Sequence, residues 1–125
     1  MNVEKLKLKK HKPIYTRTSK PLITLSQVGI RFNKGCQTHM NKHYKYCELY
    51  YDRGAKVIGI HPTNEFSEYS RKIVRNNDIY PIICAVDFLR DIGIITKLKS
   101  KNCKSIRTIP VWSEKKKMFL VDLNL

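Results

Sequence analysis

Carboxylates are scarce in this chain. It has 10 Asp and Glu among 125 residues against 25 Lys and Arg, a formal net charge of +15. A folded chain with that excess repels itself unless something acidic neutralises it. Nucleic acid answers the charge best, and an anionic membrane surface comes second. Long apolar runs are missing: none approaches the ~20 residues that cross a bilayer. Met1–Lys12 is basic but lacks an apolar stretch, so it does not read as a secretory signal. The four cysteines, Cys36, Cys47, Cys84 and Cys103, form no CxxC pair. They read as reduced thiols of a cytoplasmic protein. No P-loop, GxGxxG, HExxH or GxSxG motif occurs. The carboxylates are scattered, and Asp87 and Asp91, four apart beside Arg90, read as solvated. The chain is therefore read as a non-enzyme without a cofactor. Its expected partner is nucleic acid, DNA rather than RNA, and not a membrane.

What is present suffices for a globular core. Hydrophobic residues make up 42 % and charged residues 28 %, and a chain this long folds without staples. The charge is spread: +6 over residues 1–20, +4 over 21–62, zero over 63–78 and +5 over 79–125. Residues 1–20 read as a flexible basic arm with too few apolar residues to pack alone. Its cations Lys7, Lys9, Lys10, Lys12, Arg17 and Lys20 are candidate phosphate contacts. A second basic stretch holds Lys97, Lys99, Lys101, Lys104 and Arg107, the first four of them candidate phosphate contacts. Its alternation puts three lysines on one side of an extended segment.

Leu22–Ser26 and Ile30–Phe32 read as short strands around a turn ending at Gly29. Asn33 is expected to cap a short helix to about Asn41. Tyr46–Tyr51 and Lys56–His61 form a hairpin, with Gly54 supplying a positive φ and Pro62 ending it. Phe66, Tyr69 and Ile73 have helical spacing. Tyr80–Ile83 is a strand, Cys84–Ile92 a helix stopped by Gly93, Ser105–Trp112 a strand and Lys117–Leu123 the last strand. Strand, helix and hairpin thus occur twice, over 21–62 and 79–125, joined by a polar linker 63–78. Neither half can bury its apolar face alone. The expected class is α+β. The two strand–helix–hairpin halves of one domain, 21–125, would form a small β-barrel-like core with short helices.

The run Ile23-Thr24-Leu25-Ser26-Gln27-Val28-Gly29-Ile30-Arg31-Phe32-Asn33-Lys34 is followed by a helix, Glu48–Asp52 and Val57–Pro62. It resembles the AbrB/MazE swapped-hairpin DNA-binding domains. The resemblance implies a barrel completed by a second half, from this chain or from a homodimer partner. It also implies DNA contacts through Arg31 and Lys34, with Lys20 just upstream. Asn33 stands where that family usually has proline, and Asn41-Lys42-His43 replaces its Leu-Gly helix ending.

Cys36, His39, His43 and Cys47 would line one face if all were helical. A straight helix separates the end pair by about 16 Å, too far for one zinc ion, and no metal is assigned. Seven tyrosines include the cluster Tyr44, Tyr46, Tyr50 and Tyr51. Outward rings among lysines would stack unpaired bases; inward ones pack the sheet. Two rival functions follow: a binder of single-stranded DNA or RNA through the tyrosine-rich sheet, and a structural or scaffold protein for an acidic partner.

Overall fold

Alternating apolar and polar residues dominate the chain, and strands result. A computed structural model describes residues 3–11, 20–40, 43–75 and 81–124. The strands are β1 (Ile23–Ser26), β2 (Ile30–Phe32), β3 (Tyr46–Asp52), β4 (Val57–Thr63), β5 (Ser70–Val74), β6 (Ile82–Ile83), β7 (Ser105–Thr108), β8 (Val111–Ser113) and β9 (Met118–Asp122). The helices are α1 (Val86–Asp91) and α2 (Ile94–Ser100), with 3-10 turns at Val3–Lys5 and Lys34–Thr38. Ile23, Leu25, Ile30 and Phe32 point inward from β1 and β2, while Arg31 between the last two is exposed. Gly29 closes the β1–β2 turn at a φ of 154°. Its carbonyl accepts from Ser26 N at 2.9 Å. A Cβ there would run into the Ile83 carbonyl oxygen, so the turn requires glycine.

The strands form one antiparallel sheet in the order β7-β1-β2-β6-β5-β3-β4-β9-β8, curled into a half-barrel. Its two end strands are neighbours in the chain, separated by Ile109 and Pro110. The sequence reads Ser105–Trp112 as one strand. Pro110 has no N–H to give to a ladder, and the segment splits: β7 pairs with β1 and β8 with β9. Three ladders, β1–β7, β2–β6 and β4–β9, join residues before 63 to residues after 81.

The α+β class is corrected by this sheet. Strands hold 37 % of the described residues and helices 20 %, so the fold is mostly β. Its helices are too short to form a layer of their own. They bury Leu89, Ile94, Ile95 and Leu98 in the same core as Phe32, Ile58, Ile60, Phe119 and Val121.

Several local expectations change for physical reasons. The 3–4 spacing of Phe66, Tyr69 and Ile73 is not a helix. Only Ile73 is buried, on β5, and the two aromatics are exposed. Asn33 makes no side-chain cap bond. It instead joins the start of β1 to the 3-10 turn, accepting from Leu22 N and donating to the Lys20 carbonyl, both at 2.9 Å. Positive φ in the β3–β4 turn falls on Lys56, at 56°, rather than on Gly54. Pro62 lies buried within β4, opposite Cys47, and does not end the strand. Gly93, at φ 86°, ends α1 as expected, but the chain re-enters helix at Ile94.

The hairpins β3–β4 and β8–β9 share a turn chemistry. Asp52 Oδ1 accepts from Ala55 N at 2.9 Å, and Ser113 Oγ accepts from Lys116 N at 3.1 Å. A positive-φ lysine follows in each, Lys56 and Lys117. Counted from these turns, Gly59 and Leu120 are equivalent positions, and they face each other across the β4–β9 ladder. A local two-fold axis passes between them.

Candidate nucleic-acid interface

The β1 ladders put three outward residues in one row. Thr24 faces Arg31 on β2 and Arg107 on β7. Its chain neighbours Ile23 and Leu25 are fully buried, so Thr24 points outward, and both arginines are exposed. Neighbouring strands lie about 4.8 Å apart, so the two arginine backbones sit about 10 Å apart with Thr24 between them. A shallow concavity of about 230 Å³ opens beside the row, lined by Leu22, Thr24, Arg31, Phe32, Asn33 and Arg107. Asn33 fixes its rim through its two bonds to the 20–22 backbone. Lys20 and Lys34 flank the same end: Asn33 N donates to the Leu22 carbonyl at 3.1 Å, and Gly35 packs on the Lys20 carbonyl.

A second concavity of about 210 Å³ lies next to Arg107, between β7, α2 and the end of β9. Lys97 and Arg107 border it together with Ile94, Ile106 and Leu123. Asp122 also lines it, with its Oδ1 accepting from Asn124 N at 2.9 Å. Arg107 thus borders both concavities, with Lys97 in one and Arg31 in the other, and Lys34 and Lys20 adjoin the end that Asn33 holds. None of these five cations has a carboxylate partner among the described residues. Elsewhere Arg71 forks onto Asp87 at 2.7 and 2.9 Å, and Lys117 meets Glu114 at 2.8 Å. The Arg71 hydrogen bonds hold the Asp87 carboxyl down at about 2. Asp87, read as solvated, does stay largely exposed, and it is also tied to β5 through Arg71.

The structure places Lys20, Arg31 and Lys34 near one another and brings Arg107 of the second basic stretch across Thr24 from Arg31. Lys7, Lys9 and Lys10 are exposed beyond the short 3-10 turn of the arm. Lys12 and Arg17 lie outside the described residues. The extended row of lysines in the second basic stretch is corrected. Lys97 and Lys99 sit on α2, where helical spacing brings Lys97 beside Lys101 and turns Lys99 away. Lys101 and Lys104 are exposed between α2 and β7. Thr24 carries no local signal, and although Arg107 belongs to the second basic stretch, its proximity to Thr24 depends on a ladder between the two ends of the sequence.

The conditional Cys/His helix face does not form, in line with the reading of Cys47 on a strand. The 3-10 turn stops at Thr38, and Cys47 is on β3. His39 stacks on Trp112 with ring centroids 4.2 Å apart and planes 6° apart. Burial pushes the Cys36 thiol up to about 11 and the Cys47 thiol higher still. No group of three or more His, Cys, Asp or Glu able to hold a metal occurs among the described residues.

The tyrosine cluster divides. Tyr51 packs edge-on against Phe88 at 6.4 Å, and Tyr46 edge-on against Phe66 at 5.7 Å. Tyr50 is 49 % exposed, Phe66 79 % and Tyr69 71 %. Phe66 and Tyr69 are carried by a braced turn, with Ser67 N donating to Ser70 Oγ at 3.0 Å and Ser70 N to the Ser67 carbonyl at 3.1 Å. Among the described residues no helix is long and apolar enough to cross a membrane. Comparison with family models, curated proteins and solved structures finds no match to this chain.

Proposed function

We propose that this chain is a small, non-catalytic, cytoplasmic nucleic-acid-binding protein, and that duplex DNA is its preferred target, as for a DNA-binding regulator. The observation that carries the reading is the set of Lys20, Arg31, Lys34, Lys97 and Arg107 around two adjoining concavities, none of them ion-paired among the described residues and with Asp122 the one carboxylate lining either concavity. Such unpaired cations gain free energy by releasing the counterions of a phosphate backbone. The order strand, glycine turn, strand and hairpin over 23–63, with a 3-10 turn where that family has a helix, supports an AbrB/MazE-like contact mode for Lys20, Arg31 and Lys34. A second reading rests on Tyr50, Phe66 and Tyr69, whose exposed rings suit stacking of unpaired bases. Glu65 and Glu68 beside those rings weaken it, since they repel a phosphate backbone.

The test is binding of the full chain to one sequence presented as duplex DNA, single-stranded DNA and RNA. Tightest binding to the duplex is expected. Preference for either single strand would transfer the function to the aromatic surface, and no binding at low salt would leave an acidic protein as the partner.

Removal of residues 1–13 is expected to weaken nucleic-acid binding and leave the melting temperature unchanged. The segment holds five lysines and one glutamate, and its described part, 3–11, buries nothing. Unchanged affinity would show that the arm takes no part.

A further inference from the structure

The row Arg31–Thr24–Arg107 has a more specific consequence, which rests on the nucleic-acid reading. Two guanidiniums flank one hydroxyl on the outer face of three adjacent strands. In the unbound protein this is a repulsive arrangement: neither arginine is ion-paired among the described residues, and Asp122 borders the neighbouring concavity without an ion pair to Arg107. Arg71 shows the alternative within the same molecule, being met by both oxygens of Asp87. The backbones of Arg31 and Arg107 are about 10 Å apart, a gap that two long side chains leaning toward each other can close upon one tetrahedral anion. Guanidinium forks bind phosphate oxygens in pairs, and the Thr24 hydroxyl between them adds a third donor. The concavity beside the row gives the anion a seat, and Asn33, with both polar atoms of its amide already bonded, holds the rim in place.

We infer that Arg31, Thr24 and Arg107 form a clamp for a single backbone phosphate, with one arginine supplied from each half of the chain. The clamp is a positional device: it fixes where the duplex crosses the sheet and reads no base. Because both arginines hold the same phosphate, their contributions are coupled. Losing either one releases most of what the pair provides.

The test uses the full-length protein, duplex DNA and the variants Arg31→Ala, Arg107→Ala and the double variant. Each single variant is expected to weaken binding by about tenfold, as for a lost hydrogen-bonded charge. The double variant should fall well short of the product of the two. In all three the salt slope should drop by about one, the signature of one lost phosphate contact. Both side chains are exposed, so the melting temperature of each variant should match wild type. Arg31→Lys and Arg107→Lys, which keep the charge but lose the fork, should restore only part of the affinity. Competition by inorganic phosphate separates a backbone clamp from a small-anion site: millimolar phosphate should leave duplex binding largely intact at constant ionic strength. Displacement of the duplex by that phosphate would assign the site to a free anion instead. Wild-type affinity in either alanine variant, or strictly multiplicative losses, would overturn the clamp while leaving the nucleic-acid reading in place. Failure of the wild-type chain to bind any nucleic acid would overturn both.

Discussion

Residues 21–62 and 79–125, produced as separate chains, are expected to be unfolded or aggregated. The first fragment keeps the ladders β1–β2 and β3–β4 but loses every strand that covers them from the second half. The second keeps little beyond β8–β9 and the two short helices. Each would expose a face of Ile, Leu and Phe side chains that the intact protein buries completely. Isolated hairpins do not offset the conformational entropy of ordering. Circular dichroism of each fragment should show no cooperative melt, and mixing them should recover part of the signal. A monomeric, cooperatively melting 21–62 fragment would show that the halves are independent. The same fragment as a stable dimer would favour the two-chain swapped-hairpin arrangement.

Phe32→Ala is expected to lower the stability of the whole chain by about 3–5 kcal/mol, the usual cost of truncating a buried phenylalanine. Phe32 is fully buried and its ring lies 6.3 Å from that of Phe119, on the opposite half of the chain. That loss is a large fraction of the roughly 5–15 kcal/mol that holds a typical domain together. Gly29→Ala should be comparably damaging for a different reason. The added methyl meets the Ile83 carbonyl, so the β2–β6 ladder itself must shift. Val28→Ala in the same turn is the control: Val28 is 59 % exposed, and its change should stay within about 0.5 kcal/mol. Urea unfolding reads all three. A Phe32→Ala protein within about 1 kcal/mol of wild type would place that ring outside the shared core.

Strands whose pattern is local were legible in the sequence. Ile23 to Phe32 alternates around a glycine turn, and Met118 to Asp122 alternates with Phe119 and Val121 inward, as the structure has them. What escaped was decided by distant partners. Ser70–Val74 became strand because β3 and β6 offer it ladders on either side, which no spacing of Phe66, Tyr69 and Ile73 could announce. Pro110 was visible, but its effect depends on two different strands waiting on either side of the break. The interface follows the same logic. Arg31 and Lys34 were implied by the family resemblance and Arg107 stood in a basic stretch, but that Arg107 meets Arg31 across Thr24 depends on the pairing with β7. The helix expected after Asn33 is only a 3-10 turn, and His39 just beyond it stacks on Trp112, a partner distant in the sequence.

The measurement closest to the central proposal is the salt dependence of binding to a short DNA duplex. A basic surface that neutralises about five phosphates should give a slope of log K against log salt of roughly −4 to −5. Affinity would then fall by more than a hundredfold between about 50 and 200 mM salt. That steep, linear loss is the expected result for the full chain. A flat response across the same range would contradict it, because binding would then owe nothing to the +15 charge.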